Sequence, residues 1–227
     1  SPSKIVRFVS STIHENLPNR AKVAVIYGST EAPIDPVRVI SNKSTGRTGN
    51  KICDYLERRG HNVCRISGVV EGVGAVPDII ARTPQEMVSA VGEVISKFTP
   101  DVWIVAAAIL DFQPKNYLTE KMTSSEPPGP VALEPSPRVI ETIRKIDPNG
   151  KVISFKLETE IDDLELISRA KSHMERFDSD LVVANLLENL DGSGPRAHLV
   201  MSDTVTEISD LEQLCRALNS IISGWME

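Results

Sequence analysis

Short, almost unbroken apolar runs alternate along this chain with longer stretches whose apolar residues recur every three or four positions. Lys22–Tyr27 (KVAVIY) and 101–108 (DVWIVAAA) are the clearest runs. A strand apolar on both faces must be covered on both, which is the condition of a parallel sheet lying between helices. The rest of the chain keeps the alternation. Helical spacing over 47–59 puts Ile52, Tyr55, Leu56 and Arg59 on one face, with Gly60 as the stop. Strands are expected at Asn62–Ser67 and 79–81, followed by a helix from the capping box Thr83-Pro84-Gln85-Glu86 to about Lys97. A helix over 138–146 and a strand over 151–157 come next, then a helix over 162–176 with Leu164, Ile167 and Met174 facing inward. A strand over 181–184 precedes a hairpin (198–201 and 205–207, joined at Ser202-Asp203). A second capping box, Ser209-Asp210-Leu211-Glu212, opens the last helix. Residues 109–130, rich in proline and glycine, read as irregular. The pattern predicts an α/β fold: a Rossmann-like three-layer sandwich with a mainly parallel sheet and a small C-terminal hairpin. Residues 1–227 are expected to form a single domain, with 1–20 as an N-terminal helical extension.

Composition enters by what it excludes. A net charge of −6 argues against bulk nucleic-acid binding, which needs a basic face. No apolar run approaches the roughly 20 residues needed to span a bilayer, and 1–15 lack the apolar block of a signal peptide, so no membrane association is expected. Cys53, Cys64 and Cys215 are far apart and form no C-x-x-C pair, so core packing in a reducing, cytoplasmic setting is expected. His14, His61, His173 and His198 show no metal-ligand spacing and are expected at surface or edge positions.

In open α/β sheets ligands bind beyond the carboxyl ends of the strands. Three such ends are polar here: Gly28-Ser29-Thr30, 107–111 and Ala184-Asn185. The first leads into a loop of about eighteen residues, where a βα turn ordinarily takes roughly two to six. Its second half, Ser44-Thr45-Gly46-Arg47-Thr48-Gly49, is a Gly-x-x-Gly turn opening a helix. Such a turn lets backbone N–H groups and a helix dipole meet a phosphate. The plainer alternative, that Gly46 and Gly49 only shape the turn and pack the helix on the sheet, stays open. Neither a G-x-G-x-x-G dinucleotide fingerprint nor a G-x-x-x-x-G-K-[ST] loop is present.

Taken together, Gly28-Ser29-Thr30 and the run from Ile34 to Gly49 closely resemble the opening of phosphopantothenoylcysteine synthetases (phosphopantothenate–cysteine ligases). Further matches follow in family order: Ala106-Ala107-Ala108-Ile109-Leu110-Asp111-Phe112, Glu120-Lys121-Met122, Ile153-Ser154-Phe155-Lys156-Leu157-Glu158-Thr159 and Val182-Val183-Ala184-Asn185. Three departures accompany them. Ser29 stands where the family usually has a second glycine. The Lys-x-Lys-Lys cluster of bacterial members is reduced to Lys121. No flavin-dependent decarboxylase segment precedes the first strand, so a monofunctional ligase is expected.

The resemblance implies attack of the phosphopantothenate carboxylate on the α-phosphate of CTP or ATP, release of pyrophosphate, and displacement of the nucleotide monophosphate by the cysteine amine. It implies Gly28, Ser44, Gly46 and Gly49 around the triphosphate, with Phe155 and Asn185 lining the nucleotide pocket. Asn42, Ala107, Ala108 and Asp111 would contact phosphopantothenate. Asn42 and Lys121 would be the catalytic residues. A divalent ion, Mg²⁺, would bridge the phosphates, with its protein ligands unassigned, and Arg38 would cross the interface of a homodimer to grip the substrate phosphate. Asn42 in an Asx turn is the plainer reading of that residue. At the level of function, the competing readings are a non-catalytic nucleotide-binding module of Rossmann-like fold and an NAD(P)-dependent oxidoreductase.

Overall fold

The apolar runs come together as expected. In the computed structural model, which describes residues 19–72, 75–123, 129–192 and 194–227 together with Ile5, Val9 and Ile13, the main sheet has eight strands. Their order is β12 (Val205–Ile208), β11 (Ala197–Val200), β10 (Leu181–Leu186), β9 (Lys151–Glu158), β6 (Val102–Val105), β1 (Lys22–Tyr27), β4 (Asn62–Ser67) and β5 (Ile79–Ile80). From β10 to β5 every pairing is parallel, and β11 and β12 add an antiparallel edge, the expected C-terminal hairpin. The N-terminal helical extension expected over 1–20 lies mostly outside the described residues.

Two layers of helix cover the sheet. On one face α1 (Arg47–Arg58) and α5 (Leu211–Trp225) pack Ile52, Leu56, Leu214 and Leu218 against Val23, Val25 and Ile104. On the other, α2 (Pro84–Lys97) and α3 (Val139–Ile146) pack Met87, Val91 and Ile143 against Ile26 and Trp103, while α4 (Asp163–Phe177) covers Val182 and Ala184. Each fully buried Leu or Ile contributes about 1.5–3 kcal/mol of transfer free energy. The wholly buried Trp103 keeps its indole N–H satisfied by donating to Asp147 Oδ2 at 2.8 Å. All three cysteines are buried and none is in a disulfide, in keeping with their expected role as core residues.

Several expectations are corrected. The long loop after β1 contains a small antiparallel sheet, β2 (Glu31–Pro33) with β3 (Val39–Ser41). The segment read as irregular holds β7 (Phe112–Pro114), which pairs with β8 (Leu133–Pro135). Three-residue strands are too short to show periodicity. In α4 the buried stripe is Leu166, Ala170 and Phe177, whereas Leu164 is 81% exposed; the small Ala170 permits the close approach. The last helix is capped by Asp210, not Ser209: its carboxylate accepts from the Gln213 N–H, and Gln213 in turn accepts from the Ser209 N–H. His61 and His198 are buried, not superficial. His61 Nδ1 accepts the Ala21 N–H at 3.1 Å, and burial pushes its imidazolium below the ordinary range.

Candidate active site

The strand order reverses direction between β1 and β6: the chain moves outward to β4 and β5 on one side, and through β6, β9 and β10 on the other. Such a switch point leaves a crevice at the carboxyl edge, since the loops leaving the two strands diverge. Gly28, Ser29 and Thr30 leave β1 here, and Ala107, Ala108 and Asp111 follow β6. The two loops are laced together. Ala108 N donates to Gly28 O at 2.8 Å, Thr30 N donates to Ala108 O at 3.3 Å, and Leu110 N donates to Thr30 Oγ1 at 2.9 Å.

Asn42 follows β3 and reaches across to the same place. Its Nδ2 donates to the carbonyls of Ala108 and Ile109 at 3.3 and 3.2 Å. The Asx turn weighed for Asn42 is made elsewhere: Asp35 Oδ1 accepts from the N–H groups of Val37 and Arg38 at 2.8 and 2.7 Å. Asp111 is exposed and accepts from Arg138 Nη1 at 3.3 Å.

The start of α1 meets the end of β1. Gly46, the N-cap, is left-handed at φ 72°, and a Cβ there would lie 2.5 Å from Val70 Cγ1 and 3.4 Å from the Gly28 Cα. The left-handed φ and the Val70 side chain together call for glycine here. Gly46 has no side chain to cap the helix, among the described residues Thr45 Oγ1 accepts only the Arg47 N–H at 3.4 Å, and the first turn holds no acidic residue, so the dipole end carries no compensating charge. Ser44 Oγ accepts from the Gly46 N–H at 3.4 Å. Gly49 has a packing role as well: its missing Cβ would fall 2.2 Å from Tyr27 Cβ. Beneath α1, the side chain of Arg65 is wholly buried and donates to Asn50, Asp54 and Glu57 at 2.6–2.9 Å, fixing the helix on β4.

Phe155 packs in the same layer as α1, beside Ala106. Asn185 follows Leu181 and Val183 by strand alternation onto that face, at the end of β10. Gly28, Ser44, Gly46, Gly49, Phe155 and Asn185 thus lie on the α1 side of the carboxyl edge, Asn42 meets Ala108 at the β1–β6 junction, and Ala107 and Asp111 turn to the opposite face, Ala107 packing with the α2–α3 cluster and Asp111 meeting Arg138.

Arg38 and Lys121 lie apart from this group, at the turn between β2 and β3. Arg38 Nη1 bonds Asp35 Oδ2 at 2.5 Å, and Asp35 Oδ2 also accepts the Met122 N–H at 3.1 Å. Leu118 N donates to Ile34 O at 2.9 Å, so the segment bearing Lys121 is pinned to the turn. Burial alone would raise the Asp35 carboxyl, but N–H donation from Val37, Met122 and Arg38, with the Arg38 guanidinium, holds it well below the usual range. Lys121 itself is exposed. Sequence reasoning passed over Asp35, although Asp-Pro at a turn was a signal for it, and over Arg138 and Arg196, which carry no local signal.

The described residues contain no group of three or more His, Cys, Asp or Glu side chains placed to hold a metal. They also contain no helix long and apolar enough to cross a membrane. Mg²⁺ is commonly carried chiefly by phosphate oxygens and water, a mode that would ask little of the protein beyond an exposed carboxylate such as Asp111, which here pairs with Arg138.

The family model for the DNA/pantothenate metabolism flavoprotein C-terminal domain matches residues 19–216. The chain is 34% identical over 193 residues to the coenzyme A biosynthesis bifunctional protein CoaBC of Thermococcus kodakarensis, covering 83% of this chain and 47% of that protein. It thus spans about half the length of the curated relatives it matches. Among solved structures, the DNA/pantothenate metabolism flavoprotein from Streptococcus pneumoniae superimposes with TM-score 0.80 at 22% identity, covering 90% of this chain and 99% of that one. A Cab2 mutant in complex with phosphopantothenate-cysteine gives TM-score 0.64 at 16% identity, covering 98% and 92%. The structural likenesses establish the fold. By the family match over most of its length, together with the ordered motifs on this crevice, the chain belongs to the DNA/pantothenate metabolism flavoprotein C-terminal domain family, that of the phosphopantothenoylcysteine synthetases.

Proposed function

We propose that the chain joins 4'-phosphopantothenate to L-cysteine, through an acyl-nucleotide intermediate made from CTP or ATP, in a cytoplasmic route to coenzyme A. The observation that carries this reading is the crevice at the β1–β6 switch point, where an uncapped helix N-terminus and Asn42 meet on one edge. The relatives' printed names point the same way.

A carboxylate is a poor electrophile, so it must first be activated. Its oxygen attacks the α-phosphorus of the nucleotide and pyrophosphate leaves. The cysteine amine then forms the amide bond at the acyl carbon, loses a proton, and expels the nucleotide monophosphate. Both reactants of the activating step are anionic, so the chain's task is positioning and charge neutralisation. The N–H groups of the Gly46–Gly49 turn receive phosphate oxygens, with Ser44 and Gly28 beside them, while Phe155 and Asn185 flank the base. Asn42 holds the Ala108–Ile109 carbonyls and exchanges one of those bonds for the reacting carboxylate. Ala107, Ala108 and Asp111 line the pantothenate arm. Lys121 closes over the phosphates, and Arg38 reaches the substrate phosphate of a neighbouring protomer in a homodimer. Mg²⁺ would supply charge neutralisation on the phosphates, and Asp111 would be a carboxylate available to hold it.

The test is pyrophosphate release from the purified chain with phosphopantothenate, cysteine, Mg²⁺ and either CTP or ATP. Release is expected only when all are present, with phosphopantothenoylcysteine detected by mass. No product with either nucleotide would end the proposal.

A further inference from the structure

Two arginines with largely buried side chains, Arg65 and Arg144, are matched by carboxylates. Arg65 faces Asp54 and Glu57, and Arg144 faces Asp178 and Asp180. Arg196 is different. It enters β11 opposite the end of β10, one register step beyond Asn185, at the carboxyl edge of the sheet. Its Nη2 donates to Thr48 Oγ1 at 2.8 Å, in the first turn of α1. Its Nη1 is shut off from solvent and has no hydrogen-bond partner. Among the described residues no carboxylate pairs with it, and burial depresses its guanidinium from the ordinary value with nothing opposing the shift. An Nη1 held this way has lost water and gained no acceptor, an arrangement that is costly until one arrives.

What surrounds it narrows the anion. The hydroxyl that anchors Arg196 belongs to the helix whose N-terminus is uncapped and free of acidic residues. Through Thr48 the guanidinium is held against the first turn of α1, so it and the helix's dipole end lie close together, and both favour negative charge. Phosphate suits both, since a guanidinium presents parallel N–H donors to its oxygens. From this geometry we infer that Arg196 is a phosphate-binding residue of the nucleotide site, its free Nη1 donating to the phosphate chain while Thr48 holds the other end of the fork. This rests on the proposed nucleotide-dependent ligation, and it adds a cation to that site on the strand that closes it, whereas Lys121 comes from a loop beyond the sheet.

Calorimetric binding of CTP and of ATP, each with Mg²⁺, to the full chain and to Arg196→Gln tests it, with inorganic pyrophosphate and CMP as further probes. Removing a charge-assisted donor is expected to weaken triphosphate and pyrophosphate binding by about ten- to a hundredfold, and CMP binding by less. Arg196→Lys should recover part of the loss, and Thr48→Val, which frees the fork from its anchor, should show a smaller loss than Arg196→Gln. Triphosphate affinity unchanged in a folded Arg196→Gln chain overturns the inference, as does an equal loss for CMP and pyrophosphate. If Arg196→Gln does not unfold cooperatively, Arg196→Lys decides on the same criterion, wild-type affinity for every probe counting against a forked contact. The ligation assay on the unaltered chain separates the two claims. Turnover with Arg196-independent nucleotide binding removes only Arg196, whereas Arg196-dependent triphosphate binding without turnover removes only the ligation. Absence of both removes both.

Discussion

Replacing Gly49 with alanine sets two opposed effects against each other, and the structure decides the sign. In an ordinary helix the change is favourable, by up to about 1 kcal/mol, because alanine loses less backbone entropy. Here the new methyl would start 2.2 Å from Tyr27 Cβ and 2.8 Å from its Cγ. Carbon atoms settle at roughly 3.5–4.0 Å, so α1 would have to lift from β1 by about 1.3 Å or more. Neither side yields easily: Tyr27 is 2% exposed on the central strand, and α1 is tied to β4 through Arg65. Overpacking of this kind costs about 1–3 kcal/mol, and a site this tight lies at the upper end. Net destabilisation of about 2 kcal/mol remains, a fall of roughly 4–8 °C in the thermal midpoint for a chain of this size. The lift also displaces the N-terminal turn proposed to meet the phosphates, so triphosphate affinity should fall by more than the stability loss explains. Differential scanning calorimetry and nucleotide titration read the two separately. A midpoint at or above that of the unaltered chain would show that α1 has room, and the tight-contact argument would fail.

Arg65→Ala strands Asp54 and Glu57 beside a cavity and should cost about 3–5 kcal/mol in urea unfolding, with a loss below about 1 counting against the network. Asp35→Asn should change stability in a pH-dependent way. The folded carboxyl lies below its unfolded value of about 3.9, so its contribution is complete above about pH 5 and is lost as pH falls through the folded value. The gap in midpoint between the two proteins should be constant near neutrality and close in acid, and a gap that widens in acid would reverse the sign. Asn42→Asp turns a donor into a charge facing the carbonyls of Ala108 and Ile109. It should lower turnover by about a hundred- to a thousandfold, more than Asn42→Ala, with little change in the global midpoint; equal rates for the two would detach those carbonyls from the role of Asn42.

The elements that were legible beforehand are those whose burial is continuous. β1 and β4 are apolar enough to declare themselves, and Gly60 and Thr83 carry their caps in the sequence. The hairpin from Glu31 to Ser41 was not legible, because its register is set by Asp35 and by contact with Leu118, eighty-odd positions on. Leu164 misled because helical spacing alone cannot say which stripe meets the sheet. The site divides in the same way. The glycines and Asn42 sit in one contiguous motif, whereas Arg196 meets Thr48 across 148 positions, a distance that no local pattern spans.

The junction at Asp35 has a consequence for how an arginine can serve two masters. One carboxylate oxygen closes the turn through Val37 and Arg38 N–H, and the other is divided between the Arg38 fork and the Met122 N–H. If the fork swings out to an external anion, three amide hydrogens stay with the carboxylate, so no bare charge is left in the interior. Arg38 is thereby a detachable cation: its departure leaves the turn closed, and the segment that carries Lys121 gives up the bond from Nη1 to Met122 O at 3.3 Å but keeps its Met122 N–H on Asp35.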